Sequence, residues 1–163
     1  MTDADKTIKK MALENKKELY ETALKDIRER LSKMDVQDII PRMATVSAIL
    51  KNTLPYYFWC GFYFAEEEDM VVGPYQGTVA CAHIGYGGVC GEGTKTKKTV
   101  IVPNVHERSG HIPCDPASNA EIVVPLIKDG ETIAVFDVDS TEFNAFDETD
   151  KEYLESIMEL IVA

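Results

Sequence analysis

EIVVPLIKDGETIAVFDVDS, residues 121–140, sets two apolar runs on either side of a short polar turn, KDGE. Asp129-Gly130 at its centre is a strong two-residue hairpin signal, because both central positions of such a turn need positive φ. Valine, isoleucine and phenylalanine dominate the two arms, as pleated and buried strands require. An antiparallel hairpin over 121–140 is therefore the first fixed point of the fold.

Four further strands are expected upstream. YYFWCGFYFA (56–65) is aromatic-rich, and the acidic run EEED turns it into MVVGPY (70–75). GTVACAHI (77–84) is a third candidate, followed by a glycine-rich loop, GYGGVCGEG, and TVIVPNV (99–105) is a short fourth. With the two hairpin arms this makes about six strands. Residues 15–32 read as a helix, since Leu19, Tyr20, Ala23, Leu24, Ile27 and Leu31 recur at threes and fours. A second helix is expected from about Asp38, which can cap it, with Pro41 tolerated in its first turn. Met43, Val46, Ile49 and Leu50 supply its buried face. The last begins at Asp147, with Asp150 in its first turn and Tyr153, Leu154, Ile157, Met158 and Ile161 inward. Helices, strands and a closing helix in that order define an α+β domain with a mainly antiparallel sheet. One domain is expected over 1–163, with helices in 1–53, sheet and active-site loops in 56–146, and a helix in 147–163.

The composition narrows the function. With 163 residues, 45% hydrophobic and 28% charged, the chain can bury a full core. Its formal charge of −11 repels phosphate backbones and anionic lipid, which argues against nucleic-acid or membrane partners. No apolar run approaches the ~20 residues of a membrane span. MTDADKTIKK has no apolar stretch after its charges, so a secretory signal is not expected and the protein is placed in the cytoplasm. There cysteines rest as thiols, and a disulfide is transient and catalytic rather than a staple.

Four cysteines are present. Cys60, inside an aromatic strand, reads as a small buried hydrophobe. Cys81, Cys90 and Cys114 lie at strand ends or in loops beside glycine, proline or histidine, where a thiol is accessible and amides can stabilise a thiolate. His111 stands three residues before Cys114, and its positive charge would lower that thiol's pKa. A zinc reading competes: Cys81 and His83 would project to one face of a strand, with His111 and Cys114 completing four ligands. The absence of any C-x-x-C knuckle weakens it, and His106 and His111 read equally as ordinary loop histidines.

The stretches GPYQGTVACAHI, GVCGEG, VHERSGHIPCDPASNAEIVVPL and VFDVDS…FDETD resemble the free methionine-(R)-sulfoxide reductases, enzymes built on a GAF domain. The resemblance runs from about Trp59 to the C-terminus. It implies a GAF-like sheet of about six mainly antiparallel strands with the N- and C-terminal helices packed on one face. It further implies thiol-dependent reduction of the free amino acid with no bound cofactor, thioredoxin or another dithiol as reductant, and a homodimer. By position in the motifs, Cys114 matches the nucleophile, Cys81 a resolving cysteine and Cys90 a third thiol, with Cys90 and Cys114 able to exchange parts. Glu121, Asp137 and Asp139 match acidic residues around the substrate's ammonium and sulfoxide, and Trp59 an aromatic wall. Three departures stand out: a Cys81–Cys90 interval one residue short, a poor helix former in EGTKTKKT, and Pro113 and Pro116 where smaller residues are common.

The chemistry suits these residues. A thiolate attacks the sulfoxide sulfur, the oxygen takes a proton, and a second thiol closes a disulfide on the resulting sulfenic acid. Asp137 and Asp139, two apart on one strand, face the same way, and Glu121 opens the neighbouring arm. One or two carboxylates can hold an ammonium. A third, its pKa raised by like charges, can donate the proton, and Glu121 and Asp139 are the candidates. Two alternatives remain open here: a non-catalytic GAF-like small-molecule sensor, and a zinc-stabilised binding module.

Overall fold

The computed structural model describes residues 1–111 and 114–163, so the expectation placed on Pro113 lies outside them. The 121–140 hairpin forms as read. Strands β4 (Ala120–Lys128) and β5 (Glu131–Ser140) pair antiparallel, with Lys128 opposite Glu131. Asp129 and Gly130 take φ of 52° and 80°, the left-handed pair that lets a two-residue turn follow the strand twist.

β1 (Trp59–Ala65) lies on the far side of β5, and β2 (Met70–Gln76) on the outer edge of β1. β3 (Val100–Val102) lies on the outer edge of β4. The sheet has five strands in the order β2-β1-β5-β4-β3, every pairing antiparallel. The expected count of six fails at GTVACAHI. Gly77 turns the chain out of the sheet at φ 126°, and the segment touches β2 through one bridge, Val71 to His83.

Five helices complete the described residues. α2 (Lys16–Leu31), α3 (Ile39–Thr53) and α5 (Glu148–Val162) match expectation. α1 (Asp3–Glu14) was not expected; a reciprocal cap between Thr2 and Asp5 starts it. α4 (Val89–Thr96) occupies what read as part of a glycine-rich loop. Two glycines give it poor intrinsic propensity, but they permit close packing. A Cβ on Gly91 would fall 1.9 Å from the Tyr86 carbonyl oxygen, and one on Gly93 3.0 Å from Val123 Cγ1.

Strand alternation sorts the residues of the sheet between two cores. Cys60, Phe62, Ile122, Val124, Leu126, Phe136 and Val138 face α2, α3 and α5 in the larger one. Burying each large side chain there contributes about 1.5–3 kcal/mol. Trp59, Tyr63, Val123 and Val135 face the other way, onto α4 and the loops before and after it.

A buried polar hub fastens the helical face. Asp150 accepts Lys16 Nζ at 2.5 Å, Tyr20 at 2.7 Å and Tyr56 at 2.6 Å, while Tyr20 and Tyr57 share a 2.7 Å hydrogen bond. Arg42 of α3 reaches across to the last turn of α5, donating to the carbonyls of Leu160 and Ile161. The helices thus cover one face of the sheet and leave the other to α4 and the loops.

Candidate active site

The site grows from the odd-numbered residues of three neighbouring strands. Trp59 on β1, Glu121 on β4 and Asp139 on β5 share one level of the sheet, because Asp139 pairs with both Trp59 and Glu121. Asp137 is one step further along the same face, paired with Gly61 and Val123. Residues 77–88, 108–111 and 114–119, together with the start of α4, rise around this patch. They enclose a cleft of about 250 Å³. That volume lies below the ~300–1,000 Å³ of sites for drug-sized ligands, so a small metabolite is the natural occupant.

Glycine shapes the aromatic wall. Trp59 stacks on Tyr63 at 5.9 Å and on Tyr75 at 5.4 Å. Gly61, between Trp59 and Tyr63, makes this possible: a Cβ there would lie 2.2 Å from Tyr75 Cβ.

Cys81 and Cys114 are joined by a disulfide, their Cα atoms 5.9 Å apart. Cys114 is exposed at the rim of the cleft. Asp115 follows it in an Asx turn, with Oδ1 accepting the Ala117 amide at 2.9 Å and Oδ2 accepting Thr78 Oγ1 at 3.0 Å. Of the seven candidate residues, six line the cleft, and Cys81 joins through its bond to Cys114.

Cys90 departs from its reading as an accessible loop thiol. It is buried in the first turn of α4, with its Sγ and one oxygen each of Glu121 and Asp137 all within 4.8 Å of one another. Burial, then the charges of Asp137, Glu121 and Asp139, push its pKa well up, so it stays a thiol. Asp137 is likewise held well above the carboxylate range by burial, with Glu121 and Asp139 adding to it. Asp139 is raised by burial and by the charges of Glu121 and Asp115. Glu121 Oε2 and Asp137 Oδ1 are buried without a hydrogen-bond partner among the described residues. A floor of this kind demands protons or a cation from whatever enters. The Cys90, Glu121 and Asp137 atoms could converge on a metal ion, but an ammonium answers the same field.

The four-ligand zinc set is not assembled. Cys81 and Cys114 are spent on each other, and the His83 ring is bound to Asp69 at 2.8 Å. His106 is likewise a loop histidine, bonded to Asn119 at 2.8 Å. His111 borders the cleft with Nε2 buried. Tyr63 was missed by sequence reasoning, although its phase with Trp59 on one strand was a signal. Its hydroxyl donates to the Cys81 carbonyl at 3.0 Å.

A five-stranded antiparallel sheet with helices on one face and a loop-walled cleft on the other is the fold of a GAF domain. A GAF-domain family model accordingly matches residues 42–163. The free methionine-R-sulfoxide reductase of Escherichia coli is 37% identical over 145 residues, covering 88% of this chain and 87% of that protein. The free methionine-R-sulfoxide reductase of Neisseria meningitidis, solved in complex with its substrate, superposes with a TM-score of 0.82 at 36% identity, covering 88% of this chain and 86% of that one. The reduced form of the Staphylococcus aureus enzyme superposes with a TM-score of 0.83 at 38% identity, covering 88% and 95%. The chain belongs to the free methionine-R-sulfoxide reductase family of GAF-domain proteins.

Proposed function

We propose that this protein reduces free L-methionine-(R)-sulfoxide to methionine, with Cys114 as nucleophile and Cys81 as resolving thiol. The observation that carries the reading is the Cys81–Cys114 disulfide at the rim of a cleft floored by buried carboxylates. In the first step the Cys114 thiolate attacks the sulfoxide sulfur while the oxygen accepts a proton. Oxygen passes to Cys114, releasing methionine and leaving a sulfenic acid. The Cys81 thiol then attacks that sulfur; the S–O bond breaks, hydroxyl leaves with the thiol proton as water, and the disulfide forms. Thioredoxin, or another cytoplasmic dithiol, returns both thiols by exchange.

Each carboxylate has a part. Asp137, beside Cys90, holds the substrate ammonium with Glu121, which relieves their mutual repulsion. Asp139 is the proton donor, since burial and the charges of Glu121 and Asp115 raise its pKa and favour its protonated form. Trp59 presents its face to the sulfur as positive character develops there. Cys90, kept as a buried thiol, is poorly suited to attack, which favours Cys114 over it.

The test is a thiol-coupled assay with the R and S epimers of methionine sulfoxide, free and peptide-bound. Turnover of the free R epimer alone is expected. No consumption with either thioredoxin or dithiothreitol would refute catalysis and leave a small-molecule sensor. A full stoichiometric burst in Cys114→Ser would move the nucleophile to Cys90.

A further inference from the structure

The structure assigns Tyr63, with Trp59 as its partner, the task of positioning Cys81 for disulfide closure. This rests on the reading above that Cys81 resolves a sulfenic acid on Cys114.

The segment that carries Cys81 is poorly fastened. Gly77 leaves the sheet, and Val79 is 87% exposed. The segment returns to β2 only at Ala82 and Ile84, whose backbones bond Val72 at 2.9 Å and Met70 at 3.1 Å. Between these points no backbone–backbone hydrogen bond holds residues 78–81 among the described residues. The disulfide to Cys114 and side chains do it instead, among them Thr78 Oγ1, which donates to Asp115 Oδ2 at 3.0 Å. Trp59 Nε1 donates to the Thr78 carbonyl at 3.0 Å, and the Tyr63 hydroxyl donates to the Cys81 carbonyl at 3.0 Å. Both donors stand on the cleft face of β1 with their rings stacked, so the segment hangs from the aromatic wall.

The phenol is well suited to this. Burial, with Asp137 adding to it, keeps Tyr63 protonated, so it donates at every physiological pH. Its reach is to the backbone of Cys81 itself, so losing it frees the one thiol that must meet Cys114. When Cys114 is a sulfenic acid, closure forms the S–S bond and breaks the S–O bond, with water leaving. A wandering Cys81 slows that step and no other, because an oriented thiol reacts faster than a tethered but mobile one.

The test separates two rates in one single-turnover experiment: methionine release, and disulfide closure, the latter read by trapping residual sulfenic acid with a dimedone-type reagent. In Tyr63→Phe, which keeps the ring and removes the hydroxyl, the ratio of closure to release should fall roughly three- to tenfold, the worth of one hydrogen bond. Trp59→Phe, lacking the donor to Thr78, should lower the same ratio. Cys81→Ser should leave the sulfenic acid fully trappable. If Cys81→Ser accumulates sulfenic acid but the ratio in Tyr63→Phe is unchanged, or both of its rates fall together, the positioning role is overturned alone. If Cys81→Ser accumulates none, the resolving role of Cys81 falls and this inference with it.

Discussion

Glu121 and Asp139 stand directly opposite each other across β4 and β5, two acids face to face at the centre of an antiparallel sheet. Such pairs destabilise a sheet, and here Asp137 adds a third acid on the same face. A ligand ammonium entering this floor would be attracted by the same field that sets the acids against one another.

Asp137→Asn should therefore stabilise the fold and weaken the enzyme. The wild-type carboxyl binds its proton more tightly folded than unfolded. Its contribution is present below the ordinary carboxylate pKa of about 4 and is lost as pH rises through the raised folded value. The variant should gain about 1–2 kcal/mol at pH 8 and less near pH 4, measured by urea unfolding. Equal or lower stability at pH 8 would contradict it.

Mixing the reduced protein with one equivalent of sulfoxide should consume two thiols, and peptide mapping should place the bond between Cys81 and Cys114, as in the structure. Cys90→Ser should still form it. A bond from Cys90 to either partner would reassign the thiols.

Asp150→Ala should destabilise the protein by about 3–5 kcal/mol, since it removes the acceptor of the buried Tyr20 and Tyr56 hydroxyls and the nearest counter-charge of Lys16, which is 6% exposed and is left with the Ala145 carbonyl at 2.6 Å and Asp147 at 3.3 Å. The hub is on the helical face, away from the cleft. Activity per folded molecule should hold, as checked by denaturant unfolding alongside kcat.

Gly61→Ala should drive a Cβ into Tyr75 and unstack the wall beneath Trp59. A displacement of about 1 Å at a substrate-facing wall can lower kcat/KM on the order of tenfold or more. Steady-state kinetics compared with Tm will separate this from simple loss of fold.

Much of this was legible in the residues. KDGE fixed the hairpin, and period-two alternation put Asp137 and Asp139 on one face; strict pairing from the turn would set Glu121 opposite Val138, and a register shift between Leu126 and Ile127 brings it opposite Asp139 instead. α4 was not legible, because Gly91 and Gly93 signal a loop by propensity. Their reason is tertiary: a carbonyl of Tyr86 and a methyl of Val123 occupy the space of their missing side chains. GTVACAHI carries a strand's composition, yet only His83 finds a bridge, since Gly77 at φ 126° turns the chain out of the sheet. Tyr63 was one aromatic among many in its strand; only its hydroxyl's partner sets it apart.

Cys60 lies on the helical side of the sheet, its thiol donating to the Ser47 carbonyl at 3.4 Å and pushed up to about 12 by burial. No reagent reaches it while α3 rests on β1. Its labelling is thus a clock for global opening. Every native thiol titration of this protein carries an internal blank: one sulfur that stays silent through the whole redox cycle and reports only when the molecule comes apart.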